Sequence, residues 1–451
     1  MEKQYEVEIK KIGINAEGIA YLKSKPIFIP GAIPGEIVLI NNLEEFNNYY
    51  TATVEQIIKK SEYRILSLQD YQKDSSGAFA IHIDYNQMLV FKEEILRETL
   101  MKYVKNTGIN FNSMTLDVLP SPMKTNYRNK ASLVARYING KTRFGLYKVN
   151  TNIFVELKHQ MFHSEIINDI YDKLAELFIK YKITSYEVQK KLGSICFVVI
   201  REAHFTKEVQ ITFVSLDDIS EKLKNLLEEL VHDFPVVKNA NQTIIKNPKI
   251  QEYFNHTTKV IFGRQAMKDQ LNEKTIILKP GAFYQLNTPQ ANNFYQEMVA
   301  LSDVSSTSIC LDAFCGNAPI SLFLADKVKQ VYGIDNNQDA IKGANISLKE
   351  NNIKNIKLYC SDFFKEFKKI IATTKIDTVF FDPPRTGLGD EVIKTIINSP
   401  IETIVYGSCN PATLAKDLNF LLKKYRLKTI KAFDMFPYTQ HIETIAVLVK
   451  K

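Results

Sequence analysis

LDAFCGNAPISLFLA, residues 311–325, is the stretch on which the fold turns. An apolar strand run breaks at small residues and resumes at once as an apolar helix start. In nucleotide-binding α/β folds such a turn lets backbone N–H groups approach a ligand. The same rhythm continues to the C-terminus. SICLDAF, QVYGID, NIKLYC, IDTVFFD, ETIVYG and ETIAVLV are strand candidates, with helical stretches such as NNQDAIKGANISLKENN and NPATLAKDLNFLLKKY among them. Alternating strands and helices predict a parallel, doubly wound sheet, whose ligands sit beyond the carboxyl ends of the strands.

The residues at those ends carry chemistry. Asp335, closing YGID, is set to accept ribose hydroxyls, and Asp362 in YCSDFF is set to take an adenine amino group. Three strand ends thus fit one nucleoside-shaped ligand. The turn itself is thin in glycine, because Asn317, Ala318 and Pro319 follow Gly316. In FFDPPRTGL (380–388) a strand runs into two prolines, whose fixed φ holds Asp382 rigidly for a substrate or cofactor contact.

YGSCNPATLAKDL (406–418) puts Cys409 after a strand and before a helix that opens at Pro411. A helix N-terminus favours thiolate, so Cys409 is a candidate nucleophile. Cys196, Cys310 and Cys360 read instead as small buried hydrophobes. FDMFPYTQHIETIAVLV (433–449) offers Glu443 as a general base, although on these residues alone a hydrogen-bonded structural carboxylate is the better reading.

Upstream, residues 1–60 read as short strands with Pro and Gly turns, a small β-barrel. Residues 61–285 mix strand runs (SLVARYI, FVVIREA, EVQITFVS, KTIILK) with helical ones (YNQMLVFKEEILRETLMKYVKNTG, SEIINDIYDKLAELFIKYK, SEKLKNLLEELVHDF), an α+β domain. Residues 286–451 form the α/β domain.

Net charge is +8, and residues 101–160 alone hold 10 basic residues against Asp117 and Glu156. Aromatics interleave them: Tyr103, Phe111, Tyr127, Tyr137, Phe144, Tyr147 and Phe154. Cations on phosphates with aromatic faces under splayed bases describe an RNA surface, with Arg128 and Lys130 in NYRNKAS the leading contacts. Five scattered cysteines argue against a disulfide framework. With no signal peptide, no membrane-length apolar run and no zinc-type Cys/His spacing, the expectation is a cytoplasmic protein without a metal site, membrane contact or evident obligate protein partner.

Together SCNPATLAKDL, FDPPRTG, FYQLN (283–287) and DMFPYTQHIE resemble the RNA uracil-C5 methyltransferase family, most closely its bacterial 23S ribosomal RNA branch. The first sixty residues resemble the OB-like TRAM domain of these enzymes. The resemblance implies a Rossmann-like methyltransferase domain using S-adenosyl-L-methionine, with Gln285, Phe314, Asp335 and Asp382 at its cofactor site and Asp362 on the adenine. It implies that Cys409 attacks C6 of uracil, making C5 nucleophilic, and that Glu443 removes the C5 proton. The implied substrate is a uridine of 23S ribosomal RNA, with the transfer RNA T-loop uridine second.

The chain also departs from the family. Related ribosomal enzymes hold a [4Fe–4S] cluster on four cysteines; here Gln69, Ser75, Ala78 and Gln160 stand in that region, 69–78 and 160, and none is an iron–sulfur ligand. No cluster is expected, with packing or hydrogen bonds in its place. Asp335 stands where the family usually has Glu. Two other readings stay open: a methyltransferase acting on an exocyclic nitrogen through Asp-Pro-Pro, which needs no cysteine, and a non-catalytic RNA-binding or folding factor.

Overall fold

A computed structural model describes residues 4–73, 79–147, 151, 153–248, 254 and 258–451. The barrel strands are β1 (Tyr5–Glu8), β2 (Lys11–Ile12), β3 (Gly18–Leu22), β4 (Lys25–Ile29), β5 (Ile37–Glu45) and β6 (Tyr50–Lys59). They pair in the order β1-β5-β6-β4-β3-β2. The two ends of that order are consecutive pieces of one bent segment. Ile9 N–H donates to Glu36 O on one side, and Lys10 N–H to Ile19 O on the other, each at 2.9 Å. One strand thereby joins both edges and the sheet closes. Alternate side chains Val7, Ile27, Ile29, Val38 and Ile40 fill the interior. Gly18 is required where the chain crosses itself, since a Cβ there would lie 2.7 Å from Ala32 O.

Next come α1 (Leu68–Lys73), α2 (Tyr85–Tyr103) and β7 (Val118–Leu119). Asp84 caps α2, accepting the N–H groups of Asn86 and Gln87 at 3.0 and 3.1 Å.

The central region contains β8 (Lys130–Ile138), β9 (Lys141–Tyr147), β10 (Phe154–Glu156), α3 (Glu165–Lys180), β11 (Ile195–Glu202), β12 (Val209–Ser215), α4 (Ser220–Asp233), β13 (Val237–Ile244) and β14 (Thr258–Gly263). Its sheet runs β10-β9-β8-β11-β12-β13-β14. Leu174 and Phe178 of α3 and Leu223, Leu227 and Leu230 of α4 pack on Leu133, Val198, Ile200, Ile211 and Phe213. The helix α4 is the crossover that makes β12 and β13 parallel.

The C-terminal region adds β15 (Met267–Leu271), β16 (Lys274–Leu278), α5 (Thr288–Ala300), β17 (Ile309–Ala313), α6 (Pro319–Leu324), β18 (Gln330–Asp335), α7 (Gln338–Glu350), β19 (Ile356–Cys360), α8 (Phe363–Thr373), β20 (Thr378–Phe381), α9 (Asp390–Ile397), β21 (Thr403–Ser408), α10 (Pro411–Leu421), β22 (Tyr425–Phe433) and β23 (Glu443–Lys450).

The chain forms two compact units. The first comprises residues 1–124, 383–398 and 406–451, and the second residues 125–382 and 399–405. The second holds the central sheet and the strand run β19-β18-β17-β20, parallel throughout, with the start of β21 beside β20. The first holds the barrel, α2 and the strands β23, β22 and β7, with the end of β21 beside β23.

The expected parallel, doubly wound sheet is present in β19-β18-β17-β20, and one pairing departs from it: β22 and β23 are antiparallel. Residues 434–442 between them are too few for a helical crossover, so the chain returns as a hairpin. Cys360 also differs from its expectation. It is exposed at the end of β19, with Sγ 3.8 Å from Asn336 O, because β19 is an outermost strand.

Candidate active site

The strand β21 enters the first unit at Tyr406, which is fully buried. The strand ends at Ser408, and α10 starts two residues later. Asn410 caps that helix, accepting Ala412 N–H at 3.1 Å, and leaves Cys409 half-buried at its N-terminus. Beside it, the loop after the two prolines is pinned to α10. Asn410 Nδ2 donates to Arg385 O at 3.1 Å, and Leu388 N–H donates to Asp417 Oδ2 at 2.9 Å. Tyr406 donates to the same Asp417 oxygen at 2.7 Å. Burial raises the Asp417 carboxyl above its ordinary range.

Glu443 is the first residue of β23 and is 3% exposed. Its neighbour Thr444 donates its hydroxyl to Ser408 O at 3.1 Å. The candidate nucleophile and base therefore flank a single hydrogen bond between neighbouring strand ends. The segment leading into Glu443 is held by Lys92 of α2, whose ammonium reaches Asp434 Oδ1 at 2.6 Å.

In the second unit, Asp312, Asp335 and Asp382 lie at or just past the ends of β17, β18 and β20. Asp335 accepts Gly316 N–H at 2.9 Å and Asn337 N–H at 2.7 Å. Asp312 is inaccessible and accepts both the N–H and the hydroxyl of Ser321 at 3.0 and 2.6 Å. Burial first, then the charges of Asp382 and Asp335, push its carboxyl up to about 7, against the Ser321 bonds. Burial alone pushes Asp382 up to about 6. The charges of Asp382 and Asp335 therefore both act on Asp312. Phe314, at φ 63°, stacks on Phe363 with ring centroids 3.8 Å apart. Asp362 is exposed and caps α8 by accepting Lys365 N–H at 2.9 Å.

Gln285 is nearly buried, and its carbonyl accepts Asn129 Nδ2 at 2.8 Å. Asn129 sits between Arg128 and Lys130, so the expected RNA contacts and the Gln285 loop share one support. Asn317 Nδ2 donates to Phe283 O, linking that loop to the glycine turn. The Lys130 ammonium lies 5.8 Å from the Phe254 ring. Burial, then Arg201, lowers Lys130 to about 7.

Residues 85–451 match the model of the family described as tRNA (uracil-5-)-methyltransferase. The chain belongs to this family. Residues 3–41 match the TRAM domain, so the barrel is a TRAM barrel ahead of a Rossmann-like methyltransferase fold. An uncharacterized RNA methyltransferase of Streptococcus agalactiae is 31% identical, covering 100% of this chain and 99% of that one. Another from Lactobacillus johnsonii is 31% identical, covering 99% and 97%. The Pyrococcus abyssi tRNA (uracil-54, C5)-methyltransferase in complex with S-adenosyl-L-homocysteine has the same fold. Its TM-score is 0.78 at 23% identity, covering 99% of this chain and 100% of that one.

As an RNA (uracil-5-)-methyltransferase, the protein uses S-adenosyl-L-methionine. The strand ends of the second unit fit that group. Two buried acceptors there, Asp312 Oδ1 and Asn317 Oδ1, have no hydrogen-bond partner among the described residues. Asp312 and Lys92 were not singled out from the sequence, and Asn317 was named only as a departure from a glycine-rich turn. Asp312 was legible as the acidic residue inside LDAF, whereas nothing local marks Lys92.

Three aromatics of the basic run are not stacking faces. Phe111, Tyr127 and Phe144 are at most 4% exposed and belong to the cores of their own units. Tyr147 is 37% exposed and accepts from Arg136. The run itself is divided, with Lys102, Lys105 and Lys124 in the first unit and the rest in the second; Lys148 falls outside the described residues.

Of the four positions aligned with cluster cysteines, Ser75 and Ala78 also fall outside the described residues. Gln69 is exposed. Gln160 is buried, exchanging bonds with Asn168 at 3.1 and 3.0 Å. Among the described residues no group of His, Cys, Asp or Glu could hold a metal ion, and no helix is long and apolar enough to cross a membrane.

Proposed function

We propose that this chain methylates C5 of a uridine in 23S ribosomal RNA, with Cys409 as nucleophile and Glu443 as general base. The observation that carries the reading is the Thr444–Ser408 hydrogen bond, which ties the end of β21 before Cys409 to the start of β23 at Glu443. Uracil C5 is too weak a nucleophile to accept a methyl group directly. Addition of Cys409 Sγ to C6 places the ring's electrons on C5. S-adenosyl-L-methionine, when bound, supplies the electrophilic methyl group. Glu443 then takes the C5 proton, the C5=C6 bond re-forms, and Cys409 leaves as thiolate. Asp335, Asp362 and Asp382, with Gln285 and Phe314, would hold the cofactor. Arg128 and Lys130 would hold RNA, whose target base must leave its stack to reach the thiol.

The motif resemblance to the bacterial ribosomal branch supports 23S RNA. The Pyrococcus abyssi enzyme acts, by its name, on uracil 54 of tRNA, and it matches this chain over its whole length. A tRNA T-loop uridine is therefore the second substrate to offer. Tritium release from [5-³H]uridine-labelled 23S ribosomal and transfer RNA, with wild type and Cys409→Ala, tests both. Cofactor-dependent release from 23S RNA, lost in Cys409→Ala, is expected. Release from tRNA alone would transfer the assignment to the T-loop, and release by Cys409→Ala would overturn the covalent route.

A further inference from the structure

Lys92, in the middle of α2, has no accessible surface. An ammonium costs so much to bury that its partners must compensate it fully. Its three contacts are Asp434 Oδ1 at 2.6 Å, His441 O at 2.8 Å and Phe436 O at 3.2 Å. Three donors are thus matched by three acceptors. All three acceptors lie in the irregular segment between β22 and β23, one of them two residues before Glu443. Asp434 is 1% exposed and also hydrogen-bonds Tyr85, from the first turn of the same helix. A plain ion pair would need only the carboxylate. Here one cation also fixes backbone carbonyls near both ends of a segment that has no regular structure of its own. The Glu443 carboxylate acts electrostatically on Lys92 as well.

We propose that Lys92 is a positioning residue for the proton-removal step, its buried ammonium clamping residues 434–441 so that Glu443 is held in its working place. This rests on the reading of Glu443 as the general base. In that step Glu443 takes the proton from C5, the C5–H pair forms the C5=C6 bond, and the C6–S pair returns to Cys409. Lys92 touches no substrate. Addition of Cys409 and methylation precede the step and do not depend on the clamp. Loosening it therefore leaves a methylated RNA–protein adduct that breaks down slowly.

The test is a single-turnover assay that follows SDS-resistant RNA–protein adduct. Lys92→Met alone strands a buried carboxylate and is expected to fold poorly, so the informative variant is Lys92→Met with Asp434→Asn, which removes both charges. It is expected to form adduct at the wild-type rate and to resolve it about 10- to 100-fold more slowly, the scale of a small misplacement of a reacting group. Tyr85→Phe, which keeps the ion pair, is expected to slow resolution by a few fold and guards against failure of the double variant to fold. A purely structural role would lower adduct formation and resolution alike. Wild-type resolution in both variants would overturn the inference. Glu443→Gln is run beside them. If it accumulates no adduct, the assignment of the base fails instead, which is a separate result.

Discussion

Thr444 and Ser408 are joined by a hydroxyl-to-carbonyl hydrogen bond of 3.1 Å, and both are at most 3% exposed. Thr444→Val keeps the shape and removes the donor, leaving the Ser408 carbonyl short of one partner. The expected cost is about 1–2 kcal/mol of stability. Turnover is expected to fall about tenfold, with little change in KM for RNA, since alignment rather than binding is lost. Calorimetry and steady-state tritium release check the two parts.

Asp417 holds the loop after the prolines against α10 through Leu388 N–H and Tyr406 O–H. Asp417→Asn retains an oxygen for both donors and is expected to cost under about 1 kcal/mol, whereas Asp417→Leu leaves two buried donors unmet and should cost about 3 kcal/mol. Gly387, at φ 80°, passes so close that a Cβ would lie 2.7 Å from the same carboxylate. Gly387→Ala should therefore behave like Asp417→Leu, and denaturant unfolding of the three variants would show it.

The sequence carries the parts of the site that are local. Cys409 is legible because a strand, a polar turn and Pro411 follow one another within a few residues. The strand-end acids are legible for the same reason, whereas Glu443 enters as a base only through the family resemblance. Lys92 and Asp434 are 342 residues apart, and only tertiary packing reveals that a lysine inside an amphipathic helix is a buried cation. Composition misled at Phe111, Tyr127 and Phe144, because it cannot say which face an aromatic takes. The barrel was read from its strand rhythm, but not the bend at Ile9 and Lys10 that closes it by pairing one segment to two partners. The strand β22 was missed because Arg426, Lys428 and Lys431 interrupt its apolar residues.

Asp312 should give a pH signature. The unfolded chain loses this proton near 3.8, while the folded protein keeps it to about 7. The stability it contributes is thus complete below 3.8 and is lost as pH rises through 7. Asp312→Asn can still accept the Ser321 bonds and never ionises. Its stability relative to wild type is expected to rise by about 3 kcal/mol between pH 5 and pH 8. Melting curves of both proteins across that range check this, and a constant difference would refute it.

Iron should be dispensable. Glutamine, serine and alanine supply no thiolate at positions 69, 75, 78 and 160. Anaerobic treatment with iron and sulfide is expected to leave the protein colourless, and chelators should not shift its Tm. A stoichiometric cluster after reconstitution would contradict this reading.

Lys130 offers a test of RNA contact that does not depend on catalysis. Burial and the Arg201 charge bring it to about 7, so RNA-free protein changes charge there near neutrality. Its ordinary value is 10.5, so the stability it contributes is complete above 10.5 and is lost as pH falls through about 7. A phosphate brought beside the ammonium would offset that loss, and binding would then take up a proton. RNA affinity is accordingly expected to strengthen by up to about tenfold from pH 8 to pH 6, and its log–log salt slope to include one contact of about 0.7 from this residue. Lys130→Arg, charged throughout, should bind tightly at both pH values. Lys130→Met should bind weakly at both, with the salt slope reduced by about 0.7. Equal pH dependence in all three proteins would remove Lys130 from the RNA surface and leave Arg128 as the residue to examine.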